Sequence, residues 1–344
     1  SMIGLALGQI FFGPLSDKYG RRPLLLVSML LFIVSTLFCL FAPDIYSFVT
    51  LRLIQGIAGA GGIVISRSVA IDKFSGKELA KMLAVIGAIN GVAPVAAPVI
   101  GGLLTGSVGW QGIFMILLFI GILLGIGCIR FKESLPAEKR SKTGVWATFR
   151  SFGIIVHNRR YMLYVFQLAF AQGILFAYIA SSPFIIQQHY GFSPFAFSIC
   201  FAVNAVAIGV AAALSVKFRR TENGTLTGCV GMLVFAVLQM AALYSGCGFW
   251  TYELLMFALL FMMGLTFTAS TTLAMDCERR YAGAASALLG ALCFASGGIV
   301  SPLVGLGDIL ISTGVTFVIC AVCSLLCALW AVKRTGPKVA LCRI

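Results

Sequence analysis

Apolar residues along this chain run in long blocks separated by short polar connections. The blocks fall near 2–16, 24–42, 45–71, 82–104, 112–130, 161–186, 195–216, 225–245, 250–275, 282–304 and 310–332. Most hold about 20 residues, the length a helix needs to cross roughly 30 Å of hydrocarbon. The pattern predicts an all-α, polytopic membrane protein with eleven spans. The first block is the exception, because about 15 residues make only about 22 Å of helix at 1.5 Å per residue. We therefore expect the start of that span, and one span before it, to lie upstream of Ser1, restoring a count of twelve.

Composition agrees with the pattern. The chain is 60% hydrophobic and 10% charged, with a mean hydropathy of +1.02, whereas a soluble domain carries about 25% charged residues. The net charge of +14 raises the question of an acidic partner, and the placement of the cations answers it. All but two of the 25 Lys and Arg residues lie in alternate connections or at the C-terminus, and the intervening connections have none. Charge here reports topology, with the basic connections and the C-terminus in the cytoplasm, and nucleic-acid binding is not needed to explain it. The two remaining cations, Arg52 and Arg67, sit inside the third block.

The eleven cysteines are scattered mostly through apolar blocks and read as small hydrophobes rather than a disulfide framework. Cys320, Cys323 and Cys327 share a helical face without a His or second cluster nearby, so packing is expected there, not metal. The two histidines, His157 and His189, fall on opposite sides of the membrane. No constellation suited to an enzyme emerges.

Between the first two blocks lies Gly13-Pro14-Leu15-Ser16-Asp17-Lys18-Tyr19-Gly20-Arg21-Arg22-Pro23. Gly20 supplies a backbone position free of Cβ clash and Pro23 is placed to open the next helix, so the stretch reads as a tight hairpin at the membrane surface. Lys18, Arg21 and Arg22 fit any basic cytoplasmic turn. Asp17 does not, and an acid at a helix end wants either the positive N-terminus of a neighbouring helix, such as the one starting near Ala282, or a pairing with Arg21.

The third block carries Arg52, Gln55 and Gly59 on one helical face. An intramembrane Arg costs about 2.5–3.5 kcal/mol, so it requires a cavity or a partner: either carbonyls of a neighbouring span or an acid whose protonation it tunes. Arg67 sits near the inner surface, where its side chain can snorkel. The fourth block places Gly87, Gly91, Pro94, Pro98 and Gly101 on one stripe, predicting a bent helix. Gln9 and Asn90 in the first half, and Gln167, Gln172, Asn204 and Gln239 in the second, are uncharged polar residues within spans; each either lines a cavity or bonds across helices. Glu253, Asp276 and Glu278, near the ends of the ninth block, read as solvated interface charges.

The hairpin resembles the Gly-x-Leu-x-Asp-x-x-Gly-Arg-Arg/Lys signature of the major facilitator superfamily, through Gly13, Asp17, Gly20, Arg21 and Arg22. Arg52, Gln55 and Gly56 fit that family's Arg-x-x-Gln-Gly motif. Its antiporter motif aligns with 93–102, keeping Pro98, Gly101 and Gly102 but with Ala93 and Ala97 in place of two glycines. The run from Gly4 to Pro14 is most similar to the bicyclomycin-resistance branch of drug:proton antiporters. The resemblance implies two six-helix bundles, here with the first span missing: residues 1–130, a cytoplasmic linker over 131–160 that is either solvated or a surface helix carrying Val145, Phe149, Phe152 and Val156, and residues 161–344.

It further implies a monomeric exporter in the bacterial inner membrane, exchanging an amphiphilic drug or small metabolite for protons, with no cofactor beyond the proton gradient. Under that resemblance Asp72 pairs with Arg21 as a cytoplasmic latch, Arg52 and Gln55 couple protonation to conformation, and Gln9, Asn90, Gln172 and Asn204 face the substrate. No embedded acid is evident, so it is expected in the missing span, and the chain alone is not expected to transport. The alternatives are a proton-linked uptake carrier and a non-transporting scaffold or sensor.

Overall fold

The computed structural model describes residues 1–74, 109–136, 152–215, 220–278 and 282–333, with the single positions Glu78, Met82, Ile86, Ala97, Gly101, Glu138, Arg140 and Phe218. The described residues are helical wherever regular structure occurs. The helices are α1 (Met2–Tyr19), α2 (Arg21–Leu40), α3 (Ile45–Lys73), α4 (Gly109–Arg130), α5 (Arg159–Pro183), α6 (Pro194–Ser215), α7 (Thr221–Tyr244), α8 (Phe249–Cys277), α9 (Ala282–Val304) and α10 (Ile309–Lys333). Helix α5 continues through a wider π turn from Phe184 to His189. Nine helical stretches among the described residues are long and apolar enough to cross a membrane. Most of the fourth predicted span, Asn90, Pro94, Pro98 and Gly102 included, lies outside the described residues; of its motif Ala97 and Gly101 are described, both as helical.

Helix starts follow local chemistry. Asp44 caps α3 by accepting from the Ser47 amide at 2.7 Å, Asn158 caps α5 through the Tyr161 amide at 3.2 Å, and Asp308 accepts from the Leu310 and Ile311 amides ahead of α10. Such caps satisfy donors that the helix itself leaves open. Helix α2 starts differently. Its first helical residue is Arg21, two positions before the Pro23 start expected from sequence, because Gly20 takes φ +102° and turns the chain sharply. A side chain would be strained at that φ. The open amides of Arg21 and Arg22 then donate to Glu133, at 3.0 and 3.2 Å, so the cap comes from 112 residues away.

By contact the chain forms two compact units. The first comprises residues 1–154 with 281–298, and the second residues 155–280 with 299–344. In the first, α3 packs against both α1 and α2. A Cβ at Gly8 would strike the Ile57 carbonyl and Ala60 of α3, so the two backbones nearly touch, as small residues permit within a bilayer. In the second, α8 packs on α5, α6 and α7, and α10 on α5 and α7. The core there holds Tyr178, Phe201, Met232, Tyr252, Met256 and Phe317.

The helices invert the polarity of a soluble protein. In α2, Val27, Leu30, Leu37 and Phe38 face outward, while Ser28, Ser35, Thr36 and Cys39 are buried. With hydrocarbon outside, there is no gain in turning the apolar face inward, and polar groups find their partners only within the protein. In the 131–160 segment, residues 152–157 are helical and bury Phe152 and Ile155, whereas Val156 is exposed. Phe152 is thus buried as the predicted stripe requires, but the next buried position is Ile155 in place of Val156; Val145 and Phe149 lie outside the described residues.

Candidate functional site

Among the described residues, the charged turn between α1 and α2 is the densest polar site of the first unit. Arg21 is buried and held on three sides. Its Nε donates to Asp72 Oδ2 of α3 at 2.9 Å, and its Nη1 meets Asp17 Oδ1 at 2.6 Å and Ser16 Oγ at 2.6 Å. Asp17 and Arg21 are four residues apart across the turn, so the motif's spacing itself brings them together. Asp72 reaches the cluster because α3 packs along both α1 and α2. The two acids are not equivalent: the Asp72 side chain is 14% exposed and that of Asp17 is 48% exposed. Asp17 pairs with Arg21, and the residues leading into α9, its other expected partner, lie outside the described ones.

Around this cluster, Glu133 joins the first unit's next polar segment to the turn. Besides the Arg21 and Arg22 amides it accepts from those of Ser134 and Leu135, both at 3.0 Å. It also lies 3.5 Å from Arg140. Ser134 Oγ donates to Asp72 Oδ2 at 3.3 Å, while Arg22 Nη2 donates to the Ile129 carbonyl at 2.9 Å. Burial pushes the Glu133 carboxyl up, but the four amide donors outweigh it and hold the group below the usual glutamate value. Gly13 faces Val64 and Ala287, with room for ordinary contact.

Deeper in the same unit, Arg52 donates to Gln55 Oε1 one turn along α3, and the Gln55 amide passes the chain on to Thr36 Oγ1 of α2 at 2.6 Å. The Arg52 guanidinium lies 5.3 Å from the centre of the Phe114 ring of α4, a cation–π contact. Among the described residues no acid pairs with Arg52. An open hollow lined by Ser1, Leu5, Phe32, Arg52, Gln55, Gly56 and Gly59 adjoins this network. Thr36 is a member that sequence does not flag, since it sits in an otherwise apolar run. Gln9 is buried in α1 against Gly290 of α9, and its Nε2 has no hydrogen-bond partner among the described residues.

The second unit has its own polar cluster. Asn204 of α6 is fully buried and its Nδ2 donates to Tyr178 Oη at 3.0 Å and to Glu253 Oε1 at 2.8 Å. Glu253 is thus not the solvated interface charge expected from its place near the start of α8: its Oε2 is buried with no partner among the described residues. The long side chain is covered by α5 and α6, a tertiary contact that no local pattern encodes. Gln172 Oε1, Asn204 Oδ1 and Gln167 Oε1 also lack partners there, while Gln167 Nε2 donates to Ser324 Oγ at 3.1 Å and ties two helices together. Glu278, also expected to be solvated, accepts from Asn158 at 2.5 Å. No group of three His, Cys, Asp or Glu residues among those described is arranged to hold a metal.

Residues 1–302 match the Major Facilitator Superfamily. The chain belongs to that superfamily. It is 38% identical over 314 residues to the uncharacterized MFS-type transporter YdgK of Bacillus subtilis, covering 89% of this chain and 78% of that protein. It is also 29% identical over 315 residues to a bicyclomycin resistance protein homolog of Haemophilus influenzae, covering 88% and 77% of the two chains. The xylose transporter XylE of Escherichia coli, in a partially occluded inward-open conformation, shares the fold with a TM-score of 0.73 at 16% identity, over 97% of this chain and 85% of that one. The protein is accordingly a multi-pass membrane transporter acting on small molecules, not an enzyme.

Proposed function

We propose that this transporter exports an amphiphilic drug or small metabolite in exchange for protons, by alternating access, from the cytoplasm of a bacterium across its inner membrane. The observation that carries the reading is a set of buried polar atoms left without partners among the described residues, inside otherwise greasy helices; it includes Gln9 Nε2 in the first unit, and Gln172 Oε1 and Asn204 Oδ1 in the second. A buried polar group without a partner costs about 1–3 kcal/mol, a cost that an amphiphilic solute offering a donor or acceptor removes. The outward direction is supported by the similarity to a bicyclomycin resistance protein homolog. The cytoplasmic placement of the Asp17–Arg21–Asp72 turn and of the C-terminus is supported by the distribution of basic residues.

In this reading the turn, anchored by Glu133, is the inner latch, and Arg52 with Gln55 transmits a change of charge to α2 through Thr36. The protein works as a monomer. The test is a gene-deletion strain and its complement, loaded with labelled amphiphilic antibiotics beginning with bicyclomycin. Lower steady-state accumulation in the complemented cells, abolished when the proton gradient is collapsed, supports the reading. Equal accumulation across the panel, or greater accumulation with the gene present, overturns it.

A further inference from the structure

We infer that Glu253 is a proton-binding carboxyl inside the second unit, positioned by Asn204 and Tyr178. Its use in transport rests on the exchange reading above, but its protonation does not. The argument starts from what surrounds it. One carboxyl oxygen, Oε1, accepts from the buried amide of Asn204 at 2.8 Å, and that amide is pinned from the other side by the Tyr178 hydroxyl at 3.0 Å. Tyr178 is itself immobilised by stacking on Phe201, with ring centres 5.3 Å apart. The second oxygen, Oε2, is buried and meets no donor among the described residues.

Among the described residues the electrostatic surroundings hold no countercharge. The titratable groups facing the site are Tyr178 of α5 and Tyr190 beyond it, Cys200 of α6, and Tyr252 beside Glu253 on α8. All are neutral groups at physiological pH. His189 packs on Tyr190, at a ring distance of 4.8 Å, and is exposed. From α7, the remaining helix packed on α8, Cys229 is engaged with Gln167 and Ser324 rather than with Glu253. No Lys, Arg or His forms an ion pair with Glu253 among the described residues.

A buried carboxylate without a cation loses more in hydration than a single charge-assisted hydrogen bond returns. A proton on Oε2 removes the charge while leaving the Asn204 bond to Oε1 in place. The site also lies close to the start of its helix. Glu253 lies four residues into α8, about 6 Å along the helix from its start. At the same end Tyr244 and Trp250 are 82% and 80% exposed, as aromatic residues are at a membrane–water boundary. The carboxyl is therefore enclosed by protein yet about one helical turn from the aqueous phase. No embedded acid is evident from sequence alone; the geometry points to this one within the chain.

The test requires no solute. Difference infrared spectra of the native protein in lipid, neutral minus alkaline, should contain a protonated-carboxyl C=O band, and E253Q should lose it. N204A leaves the acid in place but removes its donor, so the band should remain at an altered frequency. If E253Q does not fold, the N204A shift still identifies the band as Glu253. The inference is overturned if the native protein shows no such band, if E253Q retains all of it, or if N204A leaves its frequency unchanged. Failure of proton exchange in transport assays, with the band present and assigned, would count against the exchange reading and not against this site.

Discussion

Replacing Asp72 by Asn separates the two acids that hold Arg21. The Asp72 pair is the shielded one, with side chains 8% and 14% exposed, while the Asp17 pair has its acid 48% exposed. Removing one member of a buried pair costs about 3–5 kcal/mol when it strands the other charge. In this case Arg21 keeps Asp17 and Ser16, so D72N should cost about 1.5–3 kcal/mol, the range for a hydrogen bond to a charged group. D17N removes a contact that solvent screens, worth about 0–1 kcal/mol. Unfolding of the purified protein in detergent, followed by thiol-dye labelling of the buried cysteines exposed by melting, reads the difference. D72N should melt well below D17N, and adding R21Q to D72N should cost less than the two changes summed. A D17N variant as destabilised as D72N, or strict additivity of R21Q and D72N, would refute the reasoning that the Asp72 pair carries the turn.

Three further outcomes follow from the same contacts. Glu133 is held below its ordinary pKa of 4.5 by amide donors that outweigh its burial, so its stabilising contribution is full above that ordinary value and is lost as pH falls through the lower folded one; E133Q, missing a charged helix cap worth about 0.5–2 kcal/mol, should flatten the acid limb of a melting-temperature profile. Substituting Gly8 by Val drives a branched side chain into the Ile57 carbonyl and Ala60, an overpacking cost of about 1–3 kcal/mol or more, and should lower the yield of folded protein, whereas Gly8→Ala should be milder. T36V removes the acceptor for the Gln55 amide and, in the proposed coupling role, should reduce proton-driven export while shifting the melting temperature by the equivalent of about 1 kcal/mol; export unchanged in T36V removes α2 from the coupling path.

What was legible in the sequence is whatever a bilayer dictates locally. Span positions follow from apolar run length, and α3, α9 and α10 begin within a residue or so of the predicted blocks. The Asp17–Arg21 pair was legible because four residues separate its members across one turn. Apart from the Arg21–Asp72 pair, which the family resemblance implies, the contacts that escaped are those between distant segments. Nothing near Glu133 announces that it caps a helix 112 residues earlier. Thr36 looks like filler in an apolar run until α3 presents Gln55 to it. Glu253 was misread for the same reason: an acid near a helix start looks solvated, and only the arrival of Asn204 from α6 and Tyr178 from α5 buries it. The bent fourth helix expected from Pro94 and Pro98 lies outside the described residues.

The central claim, exchange of solute for protons, is tested most directly in proteoliposomes containing the purified native protein and labelled bicyclomycin, with a pH gradient imposed in either direction. Antiport predicts that solute accumulates in the lumen when the lumen is acidic and is expelled when the lumen is alkaline, with a protonophore abolishing both. Solute movement in the same direction as protons, or movement indifferent to the sign of the gradient, would contradict it.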